Sequence, residues 1–181
     1  VRRVRREALA RGRAAGGGPV GEGPGRAWAR ARFRLPYLRD AAWERGYGVD
    51  TVETAVPWSR VPELVEAVEG ALRDALAAEG ERVHAYSHLS HVYPHGSSVY
   101  TTFVFRLAHD PDETLARWRT LKAAATRAIQ AHGGTVSHHH GVGRDLREYL
   151  PAEKGPLGMA LLRAAFHAAD PAGTLNPGAL L

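Results

Sequence analysis

The chain is 181 residues long, 44% hydrophobic and 24% charged, which is enough apolar material for one domain or one and a half with a real core. It has no cysteine, which excludes disulfide staples, thiolate zinc sites, Cys-ligated iron–sulfur clusters and a Cys nucleophile; it also lacks a membrane-spanning apolar run and the apolar region of a secretory signal, so a cytoplasmic protein is expected. The net charge of +5 comes from eleven arginines between Arg2 and Arg39, without the aromatic interleaving or the helix-turn-helix and zinc-finger spacings of nucleic-acid binders, so no nucleic-acid partner is expected.

Residues 1–26 read as a basic and glycine-rich segment, with Gly16 to Gly25 a loop or linker. Trp28 to Phe33 and Leu35 to Trp43 carry short helical patterns interrupted at Pro36, and a strand is expected over Val49 to Thr54. Ser59 reads as the N-cap of a helix with Val61, Leu64, Val65, Val68, Leu72 and Leu76 on its apolar side, stopped by Gly80. Two β segments follow, Arg82 to Val92 and Ser98 to Leu107, joined by a turn at Pro94-His95-Gly96. In the second, Val99, Thr101, Phe103 and Phe105 share one face, and Tyr100, Thr102 and Val104 the other. Asp110-Pro111-Asp112-Glu113 opens a second long helix that runs to Gly133-Gly134, a short strand comes next, and one more helix is expected around Leu157 to Ala168. This order predicts an α+β fold, an antiparallel sheet with helices on one face in the manner of a ferredoxin-like plait, followed by a helical tail.

Ten histidines is a high number, and they cluster. His84, His88, His91 and His95 fall in the first β segment and its turn, where exposed surface histidines are the ordinary reading. Ser137-His138-His139-His140-Gly141-Val142-Gly143 is more pointed: three consecutive imidazoles place at least one inward, and the glycines let backbone approach a ligand. Gly-Val-Gly alone is no dinucleotide fingerprint. Tyr100 reads as a half-buried packing residue and Arg39 as an exposed helix arginine. From these residues alone no enzyme is named.

The runs Pro36-Tyr-Leu-Arg-Asp40, Val49 to Arg60 (V-D-T-V-E-T-A-V-P-W-S-R), Ser90-His-Val-Tyr93, Val99-Tyr100, Ser137 to Arg144 and the final L-N-P-G-A-L-L resemble the alkyldihydroxyacetonephosphate synthases of the vanillyl-alcohol-oxidase-like flavoproteins. The resemblance covers nearly everything from Trp28 to Leu181. It implies that 27–137 is part of a substrate-binding cap domain, and that 138–181 returns to an FAD-binding domain lying outside this chain, which binds most of the cofactor FAD. It further implies that Tyr100 is the base that removes a C1 proton, that His138, His139 and His140 are active-site histidines, and that Arg39 binds substrate phosphate. His140, Gly141 and Asn176 would contact the cofactor. The implied reaction exchanges the acyl group of a 1-acyl dihydroxyacetone phosphate for a fatty alcohol, giving an ether. The partner is then a lipid phosphate, and the resemblance admits peripheral membrane contact through that substrate and a homodimer. One alternative is an FAD-linked dehydrogenase of a D-2-hydroxy acid, in which His91 and His139 would be metal ligands; against it, the G-D-G-N stretch of those enzymes is missing and His139 stands where their glutamate would. Another is a non-enzymatic metal-binding or interaction module.

Overall fold

The computed structural model describes the backbone of residues 1–181 and the side chains of 1–34 and 36–181. The chain divides into two compact units, Val1–Ala41 and Ala42–Leu181.

The first unit is helical. Helix α1 (Arg2–Ala14) buries no residue. It carries no apolar stripe by which the sequence could announce it. Alanine, leucine and arginine, all strong helix formers, support it together with an Arg3–Glu7 pair one turn apart, and Arg11 and Arg13 meet the negative end of its dipole. The expected glycine-rich loop is shorter than anticipated. Helix α2 (Gly23–Ala31) starts inside it, because Pro24 falls in the first turn, where proline costs no hydrogen bond, and Glu22 pairs with Arg26 at 2.7 Å. A 3₁₀ turn over Arg32–Arg34 leads into α3 (Leu35–Trp43), where Pro36 sits in the first turn and does not interrupt the helix.

In the second unit a three-stranded antiparallel sheet is ordered β1-β3-β2, from β1 (Tyr47–Pro57), β2 (His84–Val92) and β3 (Gly96–Arg106). Helices α4 (Val61–Asp74) and α5 (Pro111–Ala131) pack on one face. The core joins Val52, Val99 and Phe103 of the sheet to Leu64, Val68 and Leu72 of α4 and Leu121, Ala125 and Ile129 of α5, as the expected stripes require. Asp110 caps α5 by accepting the Asp112 N–H at 2.7 Å. Ser59 does not cap α4. β1 runs three residues beyond the expected Thr54, a 3₁₀ turn over Trp58–Arg60 absorbs Ser59, and α4 begins with Pro62 in its first turn and no side-chain cap.

The short strand expected after α5 does not form. Residues 134–138 run beside β1 but make one ladder-like bond there among the described residues, His138 N–H to the Glu53 carbonyl at 3.1 Å. Side chains take the other backbone groups: the Thr54 hydroxyl donates to the Thr135 carbonyl, and the Glu153 carboxylate accepts the Val136 N–H at 2.8 Å. A residue larger than Gly134 would collide here, since its Cβ would lie 2.5 Å from Thr54 Oγ1. Helix α6 (Leu150–Ala169) is kinked at Gly155-Pro156 and closes a small second core of Val136, Leu150 and Met159. No helix among the described residues is long and apolar enough to cross a membrane.

Candidate functional site

Alternation along the strands divides the sheet by chemistry. The face turned from α4 and α5 carries Glu53 of β1, Ser98, Tyr100 and Thr102 of β3, and Tyr86 and His88 of β2, and the cross-strand register sets Glu53, Tyr100 and His88 in one row. The segment 135–140 crosses one end of this face. It is held there by the His138–Glu53 backbone bond and by Glu153, whose carboxyl sits below its ordinary range: burial opposes ionisation, and Lys154, the Val136 N–H and Thr135 outweigh it.

Glu53 is the hub. Its side chain is 3% exposed, and it meets groups from three separate stretches of chain. Ser90 donates to Oε1 at 2.6 Å, His91 Nδ1 and His138 Nδ1 both lie 3.3 Å from the same oxygen, and His140 Nε2 lies 3.1 Å from Oε2. Ser90 and Ser98 are linked at 2.7 Å, and the Ser98 hydroxyl accepts the His91 N–H at 2.9 Å. Burial alone would raise the Glu53 carboxyl, but the bonds from Ser90, Ser98, His138 and His91 hold it below the ordinary carboxylate range, so it is an anion ringed by donors.

Around this hub the aromatic rings fall into two groups, one about Tyr100 and one about His138. Tyr100 stands between His88 (centroids 5.1 Å apart) and His140 (5.5 Å, edge-on). His138 lies edge-on to His139 at 4.1 Å, and its Nε2 is 3.0 Å from the Tyr93 hydroxyl. Ring nitrogens of His91, His138 and His139 come within 4.8 Å of one another. A pocket of about 180 Å³ opens beside Glu53 and His140, lined by Lys122, Ser137, Gly141 and Asp145 among others.

Tyr100, His138, His139, His140 and His91 thus share one site. Gly141 borders it at φ 77°, with open space where a Cβ would point. Asn176, also in the left-handed region at φ 47°, instead lines an apolar groove of about 740 Å³ with Phe166, Leu175 and Pro177. Arg39 lies exposed on α3, in the N-terminal unit. The sequence reading missed Glu53, Ser90, Ser98 and Tyr93 as site residues, although all but Ser98 fall within the runs that carried the resemblance. The available signal for Glu53 was alternation: Val52, Thr54 and Val56 point to the core, which sends the carboxylate between them to the other face.

The family model for the C-terminal domain of FAD linked oxidases matches residues 6–180. This chain belongs to that family. The chain is 30% identical over 162 residues to an alkyldihydroxyacetonephosphate synthase of Trypanosoma brucei brucei, covering 90% of this chain and 26% of the relative. It is 34% identical over 145 residues to one of Caenorhabditis elegans, covering 79% and 24%. A solved structure of an alkyldihydroxyacetonephosphate synthase shares the fold with a TM-score of 0.59 at 24% identity, over 89% of this chain and 25% of that one. The chain spans about a quarter of the length of the curated relatives it matches. The α+β fold, antiparallel sheet with helices, agrees with that neighbour.

The family's cofactor is FAD, and the described residues suit one end of it. None of the strands runs through a glycine turn into a helix N-terminus that could seat a pyrophosphate, and Gly141-Val142-Gly143 lies in irregular chain. What the chain offers is a sheet face of phenols and imidazoles with the Gly141 backbone open beside it, donors and acceptors fit for a polar ring and a small substrate.

Proposed function

We propose that the full-length protein is an FAD-dependent enzyme of the alkyldihydroxyacetonephosphate synthase type, which exchanges the acyl group of a 1-acyl dihydroxyacetone phosphate for a fatty alcohol to give an ether lipid. In this reading residues 27–137 belong to the substrate-binding cap, and 138–181 return to an FAD-binding domain elsewhere in the protein. The observation that carries it is the row Glu53–Tyr100–His88, with His140 closing over Tyr100. It sets a phenol among imidazoles beside a pocket, which is what removal of a C1 proton next to developing negative charge requires. FAD, when bound, supplies the redox-active ring against which this chemistry runs. Tyr100 takes the C1 proton, and His139 and His140 stabilise the oxyanion by donating hydrogen bonds. Arg39 is the proposed ligand of the substrate phosphate, for which its planar fork is suited.

The test is anaerobic titration of the full-length flavoprotein, followed in the visible spectrum, with an acyl dihydroxyacetone phosphate and separately with D-lactate. A spectral response and ether formation with the first supports the reading. Bleaching by the 2-hydroxy acid alone selects the dehydrogenase alternative.

A further inference from the structure

The proposed exchange moves two different protons. One leaves C1 of the dihydroxyacetone phosphate and returns to it. The other leaves the hydroxyl of the incoming alcohol for good, because a carboxylate departs while an alcohol enters and ends as an ether oxygen. While the base for C1 holds its proton, the alcohol proton needs another acceptor, and two phenols, in different surroundings, adjoin the histidine segment 138–140. Tyr100 lies between His88 and His140. Tyr93, 40% exposed and one residue past the end of β2, is hydrogen-bonded to His138.

His138 is fixed at both ends of its ring and at its backbone. Its N–H donates to the Glu53 carbonyl, its Nδ1 lies 3.3 Å from the Glu53 carboxylate, and its Nε2 lies 3.0 Å from the Tyr93 hydroxyl. A carboxylate only accepts, so the proton of a neutral His138 sits on Nδ1, and Nε2 presents its lone pair to Tyr93. The same logic that orients a histidine between a carboxylate and a serine hydroxyl in hydrolases then operates on a phenol. Both nitrogens of His138 are occupied in this arrangement, so it has none to give to a cation shared with His91 and His139.

We propose that Glu53, His138 and Tyr93 form a carboxylate–imidazole–phenol chain whose task is to accept the proton of the incoming alcohol. This rests on the synthase reading above. In the step, the alcohol O–H bond breaks and its electron pair goes to the new ether C–O bond. The alcohol proton passes to Tyr93 Oη as the Tyr93 proton passes to His138 Nε2, leaving an imidazolium beside the Glu53 carboxylate. The acyl carboxylate departs with the electrons of the old C–O bond. Tyr93 and His138 touch the transferred proton, and Glu53 is a positioning residue.

Two measurements test it. In the full-length flavoenzyme, Tyr93→Phe should lower ether formation by about 10²-fold or more, the range expected for a lost acid–base group, while deuterium uptake at C1 from D₂O stays within about threefold of wild type. Tyr100→Phe should lower both. Ether formation within about threefold of wild type in Tyr93→Phe, or an equal loss of ether formation and C1 exchange, would overturn the assignment. In this chain labelled with ¹⁵N-histidine, the NMR shifts of His138 should show protonated Nδ1 and bare Nε2. Glu53→Gln, whose amide both donates and accepts, should move them toward a mixture of tautomers. A protonated Nε2 in wild type, or shifts unmoved by Glu53→Gln, would overturn the chain whatever the substrate. If wild-type enzyme forms no ether, the synthase reading fails and the alcohol assignment with it, and the tautomer alone decides whether the chain exists.

Discussion

Val99 and Tyr100 are neighbours in β3, yet Val99 is 1% exposed in the core while Tyr100 stands on the opposite face among histidines. The same contrast holds in β1, where Val52 and Val56 face the helices and Glu53 faces the imidazoles. One face of the sheet is a dry, close-packed layer whose stability comes from apolar area removed from water. The other is a lattice of hydrogen bonds in which, among the described residues, every buried side-chain polar atom has a partner. The pleat divides the two roles between residues a single position apart, so a substitution on one face should act on stability and its neighbour on chemistry.

The largest expected effects come from testing that division directly. Phe103 is fully buried in the core, and Phe103→Ala should cost about 3–5 kcal/mol in denaturant unfolding, a large share of a domain's total stability. Tyr100→Phe keeps the ring and removes one hydroxyl, so unfolding should shift by about 1 kcal/mol or less while turnover of the full-length enzyme falls by about two to four orders of magnitude. If Tyr100→Phe retains more than about a tenth of turnover, the two faces are not divided as described and Tyr100 is a packing residue.

Glu53 gives a smaller effect with a definite pH signature, because among the described residues it is the one buried carboxylate on the chemical face. Its folded pKa lies below the 4.5 of an ordinary glutamate, so its ionised form stabilises the fold fully above that value, and the contribution is lost as pH falls through the lowered folded value. Glu53→Gln should therefore cost about 1–3 kcal/mol at neutral pH, and the gap to wild type should close as the solution is acidified below pH 4.5. A gap that widens with acid would mean that burial, not the donors from Ser90, Ser98, His138 and His91, sets the state of this carboxyl.

The dry face was legible in the sequence because its signals are local. Val61, Leu64, Val68 and Leu72 recur at helical spacing, Asp110 stands before Pro111, and Val99 to Phe105 alternate. The chemical face was legible only in pieces. Histidines 138–140 stood out as a run of imidazoles and Tyr100 only through a resemblance, but Glu53 meets Ser90 across 37 residues and His138 across 85, and no pattern within one strand names a partner so far away. Helix α1 escaped because it buries nothing and leaves no apolar stripe to read. The fourth strand was expected where chain does run along β1, but the Thr54 hydroxyl and Glu153 carboxylate claim the backbone groups a ladder would have used.

The smallest expected effect concerns a phenylalanine outside both layers. Phe166 of α6 is 47% exposed, and Leu157, Leu161 and Leu175 of the same tail are 73%, 63% and 72% exposed, against 0% for Phe103. Among the described residues the second core has Val136, Leu150 and Met159 as its buried members. Phe166→Ala in this chain removes a ring that is already half in water, so it should cost about 1 kcal/mol or less, several-fold under the same substitution at Phe103. Hydrogen exchange should show residues 138–181 opening before 49–137, since local stability follows buried apolar contact. If these residues meet an FAD-binding domain in the full-length protein, as proposed, the same Phe166→Ala change there should cost measurably more than in this chain, because the ring would then be buried on both sides. Equal costs in the two proteins, or uniform protection across this chain, would show that the tail is already at its full packing and that the exposed leucines are ordinary surface, leaving the proposed return of residues 138–181 without its energetic basis.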